Sequence, residues 1–158
     1  MVESMFCCSK IINDDVVICY SDIIFDKNIY NNLVSKNNIL PVYMNWLKFW
    51  KKRMSKKEIL QDAEDIRINN YNLVSIGNKI ERKFPRVQFM GIVKINKSDY
   101  FKMYKFYKTI KNRKIDLTSF LNLVIKKNIA EIKISKTSKY WYEVDTIKDL
   151  KLVNNLII

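Results

Sequence analysis

The sequence predicts an α/β fold with a mixed sheet, and three observations support this. The nearly all-apolar run Asp15–Tyr20 is typical of a strand covered on both faces. Segments with helical spacing of apolar residues follow polar residues that can cap a helix, such as Asp26, Asn96 and Asp116. The asparagine-rich segment 69–72 separates two short apolar runs and predicts a hairpin. This alternation indicates an α/β arrangement, and we expect residues 1–158 to form a single domain.

The remaining elements follow from the same patterns. A helix is expected over 3–12, and Ile39–Tyr43 predicts a strand in which Pro41 favours the start or an edge position. Gly91 lies inside a further predicted strand, 86–95, where the chain can pass close to a neighbour or a ligand. The last predicted strands are 130–135 and 140–144, and Thr146 with Asp149 resembles a capping box at the start of a final helix.

Composition indicates a folded chain. With 48% hydrophobic and 13% aromatic residues, 158 residues can bury a sizeable core. No run approaches the ~18 apolar residues that span a bilayer, so no membrane association is expected. The first ten residues lack the basic-then-apolar pattern of a signal peptide, which predicts a cytoplasmic protein.

The net charge of +13 raises the question of nucleic-acid binding. The basic residues are 24 Lys and only 5 Arg, scattered over every segment, and the chain is also rich in Ile and Asn, as AT-rich codons specify. Nucleic-acid readers favour arginine, whose planar fork pairs with phosphate and guanine. Composition therefore argues against a dedicated nucleic-acid binder.

Missing residue types exclude several chemistries. The chain has no histidine, which excludes Ser-His-Asp and Cys-His catalysis. The three cysteines form no CxxC pair and cannot complete a structural zinc site alone. Its two glycines, Gly77 and Gly91, stand apart, so no glycine-rich phosphate loop is present. The residues that remain favour metal-assisted phosphate chemistry or binding without catalysis.

Two aspartates occupy equivalent places in the sequence. Asp22 follows the apolar strand 16–20, and Asp145 follows the strand that ends at Val144; a helix is expected after each. Ligands of open α/β sheets bind outside the carboxyl ends of strands, where two carboxylates can hold Mg²⁺. Aspartates at strand ends are also common helix caps, and spacing alone leaves both interpretations open.

An aromatic segment, Trp46 to Trp50, precedes the basic residues 51–53. It fits the apolar face of a short helix and also fits the wall of a ligand pocket.

The residues around both aspartates match a known family. DVVICYSDIIFD resembles the metal-binding strand of nucleotidyltransferases of the phosphocholine cytidylyltransferase type, and WYEVDTIKDL resembles their second metal motif. The segments NWLKFWKKR, LQDAED, LVSIGNKI and VQFMGIVKI lie between them in the family's order. ESMFCCSKI is similar to the helix before the metal strand.

This resemblance implies a Rossmann-like nucleotidyltransferase fold. The implied reaction is Mg²⁺-dependent transfer of a nucleotidyl group, of the cytidylyl type, from CTP or another NTP to a small phosphorylated substrate. Asp22 and Asp145 take the metal-ligand and catalytic positions, and Trp46, Trp50, Tyr142 and Glu143 take positions that contact substrate. An aromatic wall suits a choline head group through cation–π attraction.

The sequence departs from the family at one end. Members of the family begin with a strand and a glycine-rich loop that hold the base and triphosphate, and no such motif precedes Glu3. We therefore expect the C-terminal portion of the catalytic domain, incomplete at its N-terminus and weak or inactive alone. A missing N-terminal half or a second copy of the chain would be its partner. The alternatives are a non-catalytic interaction module derived from this fold and a basic nucleic-acid-associated protein.

Overall fold

A mixed sheet forms the centre of the molecule. The computed structural model describes residues 1–80 and 83–157. The main sheet runs in the order β1–β7–β3–β8–β5–β4, with β6 added beside β3. β3 and β8 are parallel and the other pairs are antiparallel, which confirms the predicted mixed α/β fold. The strands are β1 Val16–Cys19, β2 Ile23–Phe25, β3 Ile39–Tyr43, β4 Glu64–Asn69, β5 Asn72–Lys79, β6 Gln88–Phe89, β7 Ile92–Ile95, β8 Lys133–Thr137 and β9 Trp141–Glu143.

A second, two-stranded sheet pairs β2 with β9. The sequence indicates β9, but it does not indicate β2, which has only three residues. Asp22 immediately precedes β2, and one residue, Val144, separates the end of β9 from Asp145.

Helices cover both faces of the main sheet. One apolar core contains residues of α1, α5 and α6, and the other contains residues of α2, α3, α4 and α7. The helices are α1 Val2–Cys7, α2 Lys27–Val34, α3 Trp46–Arg53, α4 Lys56–Asp62, α5 Lys97–Thr109, α6 Leu117–Lys126 and α7 Ile147–Ile157. Within the described residues, no helix has the length and apolar character needed to cross a bilayer.

The predicted helix starts are confirmed by their side-chain caps. The carboxylate of Asp26 accepts a hydrogen bond from the Asn28 N–H, and the side chain of Asn96 accepts one from the Asp99 N–H. Asp116 caps α6 in the same way through the Ser119 N–H. These caps use donors that the first turn of a helix otherwise leaves unpaired, which is why they can be identified from sequence.

The prediction for Pro41 was wrong, because β3 is a central strand. On one side β3 pairs along its whole length with β8. On the other side it pairs with β7 only at Ile39 and with β6 only at Val42 and Tyr43. Pro41 therefore lies between these two short ladders, where its missing N–H removes no hydrogen bond from them.

The predicted strand 86–95 is interrupted at Gly91, which lies between β6 and β7 with φ +92°. A Cβ at this position would lie 2.5 Å from Cγ of Tyr20. Gly91 therefore permits the close approach expected from the sequence, and the neighbour that it meets is the Tyr20 ring.

β1 lies at one end of the described sheet, where β7 is its hydrogen-bonded neighbour. Both of its faces contact an apolar core, as the sequence predicts, since Val16 and Ile18 pack against one core and Val17 against the other. The cover is partial, because these three residues are only half-buried and Cys19 is exposed. An apolar strand with an open edge is a template for pairing with another strand.

We expect this edge to associate at high concentration. Sedimentation velocity in the presence of a reductant should show species larger than one chain as concentration rises. Cys19→Lys should suppress them, since a lysine on an edge strand opposes strand addition. Cys19→Ser is the matched control and should associate like the unmodified chain. A monomer at every concentration would contradict this expectation.

Candidate functional site

The β2–β9 ladder brings Asp22 and Asp145 to the same place. Ile23 lies opposite Glu143, and the Val144 N–H donates to the Asp22 carbonyl at 2.8 Å. Asp145 is the next residue after Val144, so the two aspartates lie across the end of one short ladder. Both are exposed. The sequence places them far apart, and the strand β2 accounts for their proximity.

Arg53 holds three carboxylates of the segment 143–149. Its Nη1 donates to Glu143 Oε2 at 3.0 Å, its Nε donates to Asp149 Oδ1 at 2.9 Å, and its Nη2 donates to Asp145 Oδ2. The Arg53 side chain is only 3% exposed. Arginine suits this position because its planar fork can bond several oxygens at once.

The pKa values of this group reflect competition between burial and ion pairing. Burial alone would lower the pKa of Arg53, but the hydrogen bond with Asp149 and the charge of Glu143 outweigh it and raise the pKa. Burial opposes ionisation of Asp149 too, yet the bonds from Arg53 and Thr146 hold the pKa of Asp149 below its usual value. These two residues therefore stay charged near neutral pH.

Glu143 behaves differently. Burial raises the pKa of Glu143 to about 7, against the attraction of Arg53, and the charges of Asp145 and Asp62 raise it further. Glu143 is thus the member of the cluster that titrates near neutral pH.

Asp149 also joins the cluster to the start of α7. It accepts hydrogen bonds from the Thr146 N–H at 3.0 Å and the Thr146 hydroxyl at 2.9 Å, while its own N–H donates to Thr146 Oγ1 at 3.1 Å. The predicted capping pair Thr146–Asp149 is confirmed. Its second contact, with Arg53, orients the segment that carries Asp145.

A second acidic group lies close by. The Thr118 hydroxyl lies 2.8 Å from Glu64 Oε1 and 2.9 Å from Asp116 Oδ1. Burial raises the pKa of Glu64, and the charges of Asp116 and Asp62 add to this. Burial raises the pKa of Tyr20, and so do the charges of Glu64, Asp116, Glu143 and Asp22. The Tyr20 phenol therefore senses the charges of both acidic groups.

The aromatic residues predicted to contact substrate have different surroundings. Trp46 is 1% exposed, and its Nε1 donates to the Pro85 carbonyl at 3.2 Å; Trp50 is 3% exposed and packs edge-on against Trp46. This placement favours the packing alternative for both tryptophans, because neither ring faces an open cleft. Their contact with substrate stays a prediction. Glu143, a member of the carboxylate cluster, and Tyr142, which precedes it in β9, are half-buried.

Tyr142 lines a small pocket next to this cluster. The pocket has a volume of about 190 Å³ and is lined by Tyr43, Asn45, Lys48, Phe49, Lys52, Tyr142 and Leu156. The Phe49 and Tyr142 ring centroids are 4.6 Å apart, and the Arg53 guanidinium lies 5.4 Å from the Phe49 centroid. Phe49 thus connects the pocket to the carboxylate cluster.

A larger pocket, about 790 Å³, lies at the other end of the sheet, where β3 and β8 begin. Asn38 donates to the Glu131 carbonyl at 2.9 Å and accepts from the Asn96 N–H at 2.8 Å. Because these polar groups satisfy one another, we interpret this region as a structural network. It lies at the amino ends of these parallel strands, opposite the edge where α/β sheets bind ligands.

The carboxylates of Asp22 and Asp145 supply oxygen, the donor atom that hard cations prefer. Across residues 1–80 and 83–157, no group of three or more His, Cys, Asp or Glu residues could hold a metal ion. Mg²⁺ is typically held by one or two carboxylates together with water and substrate phosphates, and Asp22 and Asp145 can supply two. The single guanidinium of Arg53 pairs with three carboxylates, those of Glu143, Asp145 and Asp149, although the whole chain carries +13.

Sequence reasoning missed Arg53, Asp149 and Tyr20 as members of the site. The sequence indicates Arg53 only as part of a basic flank and Asp149 only as a helix cap. One pattern could have identified Arg53: with 24 Lys and 5 Arg, an arginine after two lysines is the residue suited to multiple carboxylates. No pattern indicates Tyr20, whose surroundings depend on strand order.

Comparisons with known proteins identify the fold. No family model and no curated protein matches the chain. Among solved structures, it is similar to an inositol-1-phosphate CTP transferase from T. maritima, with a TM-score of 0.70, 17% identity, and coverage of 99% of this chain and 60% of that one. It is similar to a CTP:phosphocholine cytidylyltransferase from Streptococcus pneumoniae, with a TM-score of 0.61, 12% identity, and coverage of 90% and 57%. A UDP-glucose pyrophosphorylase complexed with UDP-glucose matches with a TM-score of 0.67, 12% identity, and coverage of 98% and 60%.

The chain therefore has the fold of these nucleotidyltransferase structures, which confirms the predicted fold class. It spans about 60% of the length of these structures.

Proposed function

We propose that this chain carries the metal-binding part of a Mg²⁺-dependent nucleotidyltransferase site. The reaction would move a nucleotidyl group, of the cytidylyl type, from an NTP to a small phosphorylated substrate and release pyrophosphate. The observation that carries this proposal is the position of Asp22 and Asp145 across the end of the β2–β9 ladder. The likeness in fold to nucleotidyltransferase structures supports it.

In this proposal each residue of the cluster has a separate task. Asp22 and Asp145 are the exposed carboxylates that would hold Mg²⁺, which supplies charge neutralisation at the phosphate undergoing transfer. Arg53 holds Asp145 through one oxygen, Oδ2, and fixes the direction of its carboxylate. Asp149 anchors Arg53 and the start of α7, which keeps Asp145 beside β2.

The nucleotide itself needs further groups. The only glycines, Gly77 and Gly91, are separated by 13 residues and form no phosphate-binding loop. We propose that polypeptide beyond these 158 residues binds the base and most of the triphosphate. The 158 residues alone should then bind CTP weakly or not at all, and tight CTP binding measured by calorimetry would contradict the proposal.

Metal binding tests the aspartate pair directly. With Mn²⁺ as a spectroscopic probe for Mg²⁺, Asp22→Asn and Asp145→Asn should each weaken binding about tenfold or more, because each removes one of two anionic ligands. Asp14→Asn is the matched control, since Asp14 is exposed before β1, at the opposite end from Asp22. Equal affinities in all three variants would exclude a shared ion at Asp22 and Asp145.

The same variants should separate function from stability. Asp145 is 54% exposed, so losing its pair with Arg53 should change the free energy of unfolding by no more than about 1 kcal/mol. In a polypeptide that also carries a glycine-rich nucleotide loop, either variant should abolish Mg²⁺-dependent transfer. Transfer at the unmodified rate would contradict the assigned roles.

A further inference from the structure

We propose that the 190 Å³ pocket beside Tyr142 is a phosphoryl-anion subsite, built by Lys48, Lys52, Tyr43 and Tyr142. This inference rests on the proposed function and adds to it the place that receives the phosphate of the co-substrate. The pocket is smaller than the ~300 Å³ at which pockets for drug-sized ligands begin. Its volume suits a small charged group.

The chemistry of the lining points to an anion. Each of its polar side chains, from Tyr43, Asn45, Lys48, Lys52 and Tyr142, can donate a hydrogen bond, and no acidic residue lines the pocket. The acidic residues are gathered instead around Arg53, on the next turn of α3 after Phe49. Hydrogen-bond donors therefore line the pocket, and the carboxylates lie in the adjacent cluster around Arg53.

The two lysines repel each other on their helix. Lys48 and Lys52 are four residues apart in α3 and both are exposed, so they lie on one helix face, where like charges are unfavourable. An anion in the pocket would relieve this repulsion, and charge-assisted hydrogen bonds from ammonium groups are stronger than neutral ones.

Two tyrosines complete the pocket. Tyr43 and Tyr142 both line it. Burial raises the pKa of Tyr43, and the neighbouring phenol of Tyr142 adds to the effect. The Tyr43 phenol therefore stays protonated near neutral pH, and both hydroxyls are of a type that can donate to a phosphate oxygen. The Tyr142 ring packs against Phe49 and stacks on Tyr140 at 5.9 Å, which limits its movement.

The position of the pocket relates it to the carboxylates. Tyr142 directly precedes Glu143 in β9, and Phe49 is one turn before Arg53 in α3. A phosphate held by Lys48 and Lys52 would lie next to the residues that hold Asp145. A small phosphorylated substrate is the ligand class that this arrangement suits.

Binding of inorganic phosphate by the full 158-residue chain tests the proposal, measured by calorimetry in EDTA so that no metal contributes. Lys48→Gln and Lys52→Gln should each weaken binding about fivefold to tenfold, because each removes a charged donor. Lys51→Gln is the matched control, since Lys51 is exposed on the same helix and does not line the pocket. It should change the affinity less than about twofold. Tyr142→Phe should weaken binding without changing net charge.

Two results would overturn the proposal. One is an equal loss of phosphate affinity in Lys48→Gln, Lys51→Gln and Lys52→Gln, which would indicate general attraction of the anion to a basic surface. The other is no phosphate binding at millimolar concentration. Mn²⁺ binding should be unchanged in the lysine variants, so the two sites can be tested separately. If the unmodified chain bound no Mn²⁺ but the lysine variants still lost affinity for phosphate, the result would contradict the proposed function and leave the phosphate subsite standing.

Discussion

Replacing Arg53 with methionine is expected to lower the free energy of unfolding by about 3–5 kcal/mol. The Arg53 side chain is 3% exposed and pairs with Glu143, Asp145 and Asp149. Asp149, with a side chain only 6% exposed, would keep a charge without its main partner. Removing one partner of a buried ion pair leaves an uncompensated charge, which costs more than the pair itself contributes.

Chemical denaturation of three variants checks this expectation. Arg53→Lys should fall between Arg53→Met and the unmodified chain, because lysine keeps the charge but cannot bond three carboxylates in one plane. Arg67→Met is the matched control, since Arg67 forms an exposed pair with Asp65 and should change stability by less than about 1 kcal/mol. Similar losses of unfolding free energy for Arg53→Met and Arg67→Met would show that the buried cluster stabilises the fold no more than an exposed ion pair does.

Raising the pH from 5 to 8 is expected to weaken the fold, with Glu143 as the main cause. Burial raises the pKa of Glu143 from an ordinary value of 4.5 to about 7, so the folded chain binds this proton more tightly than the unfolded chain does. The resulting stabilisation is fully present below about pH 4.5 and is lost as the pH rises through about 7. The part of it that is lost between pH 5 and pH 8 is on the order of 2–3 kcal/mol.

Other carboxylates do not mask this change. The pKa values of Asp99, Asp116 and Asp149 are lowered, so their contributions are lost only as the medium becomes strongly acidic. The raised pKa of Glu64 acts in the same direction as that of Glu143. Stability should therefore fall across the neutral range.

The free energy of unfolding of Glu143→Gln, measured from pH 5 to pH 8, tests whether Glu143 causes this pH dependence. Glutamine has no proton to lose, so the variant should show a much flatter dependence of stability on pH. Glu3→Gln is the control, because Glu3 is exposed on α1, and it should keep the slope of the unmodified chain. An unchanged slope in Glu143→Gln would assign the pH dependence to another group.

The local features of this protein could be predicted from its sequence. The caps at Asp26, Asn96 and Asp116 are confirmed because each one uses donors within three residues of itself. The hairpin is confirmed at Asn70 and Tyr71, which have φ values of 45° and 64°. The mixed sheet follows from the alternation of such elements, and the motifs around Asp22 and Asp145 predicted the family fold.

The composition of the site depended on contacts that no local pattern records. β2 has three residues and is stabilised by pairing with β9, more than a hundred positions away, so its own sequence does not specify it. Pro41 is tolerated in the centre of the sheet because the neighbouring strand is interrupted at Gly91. The sequence predicts neither feature, because each one depends on how distant strands are aligned.

The sequence by itself determined most of the elements, the caps at Asp26, Asn96 and Asp116, and the two aspartates that the proposed reaction needs. Only the tertiary structure decided that Arg53 joins Glu143, Asp145 and Asp149, that Trp46 and Trp50 are core residues, and that Lys48 and Lys52 border a pocket with Tyr142. The physical reason is the distance along the chain over which each kind of interaction acts. Capping and periodicity act within a few residues of one chain, whereas burial and ion pairing depend on which distant elements pack together.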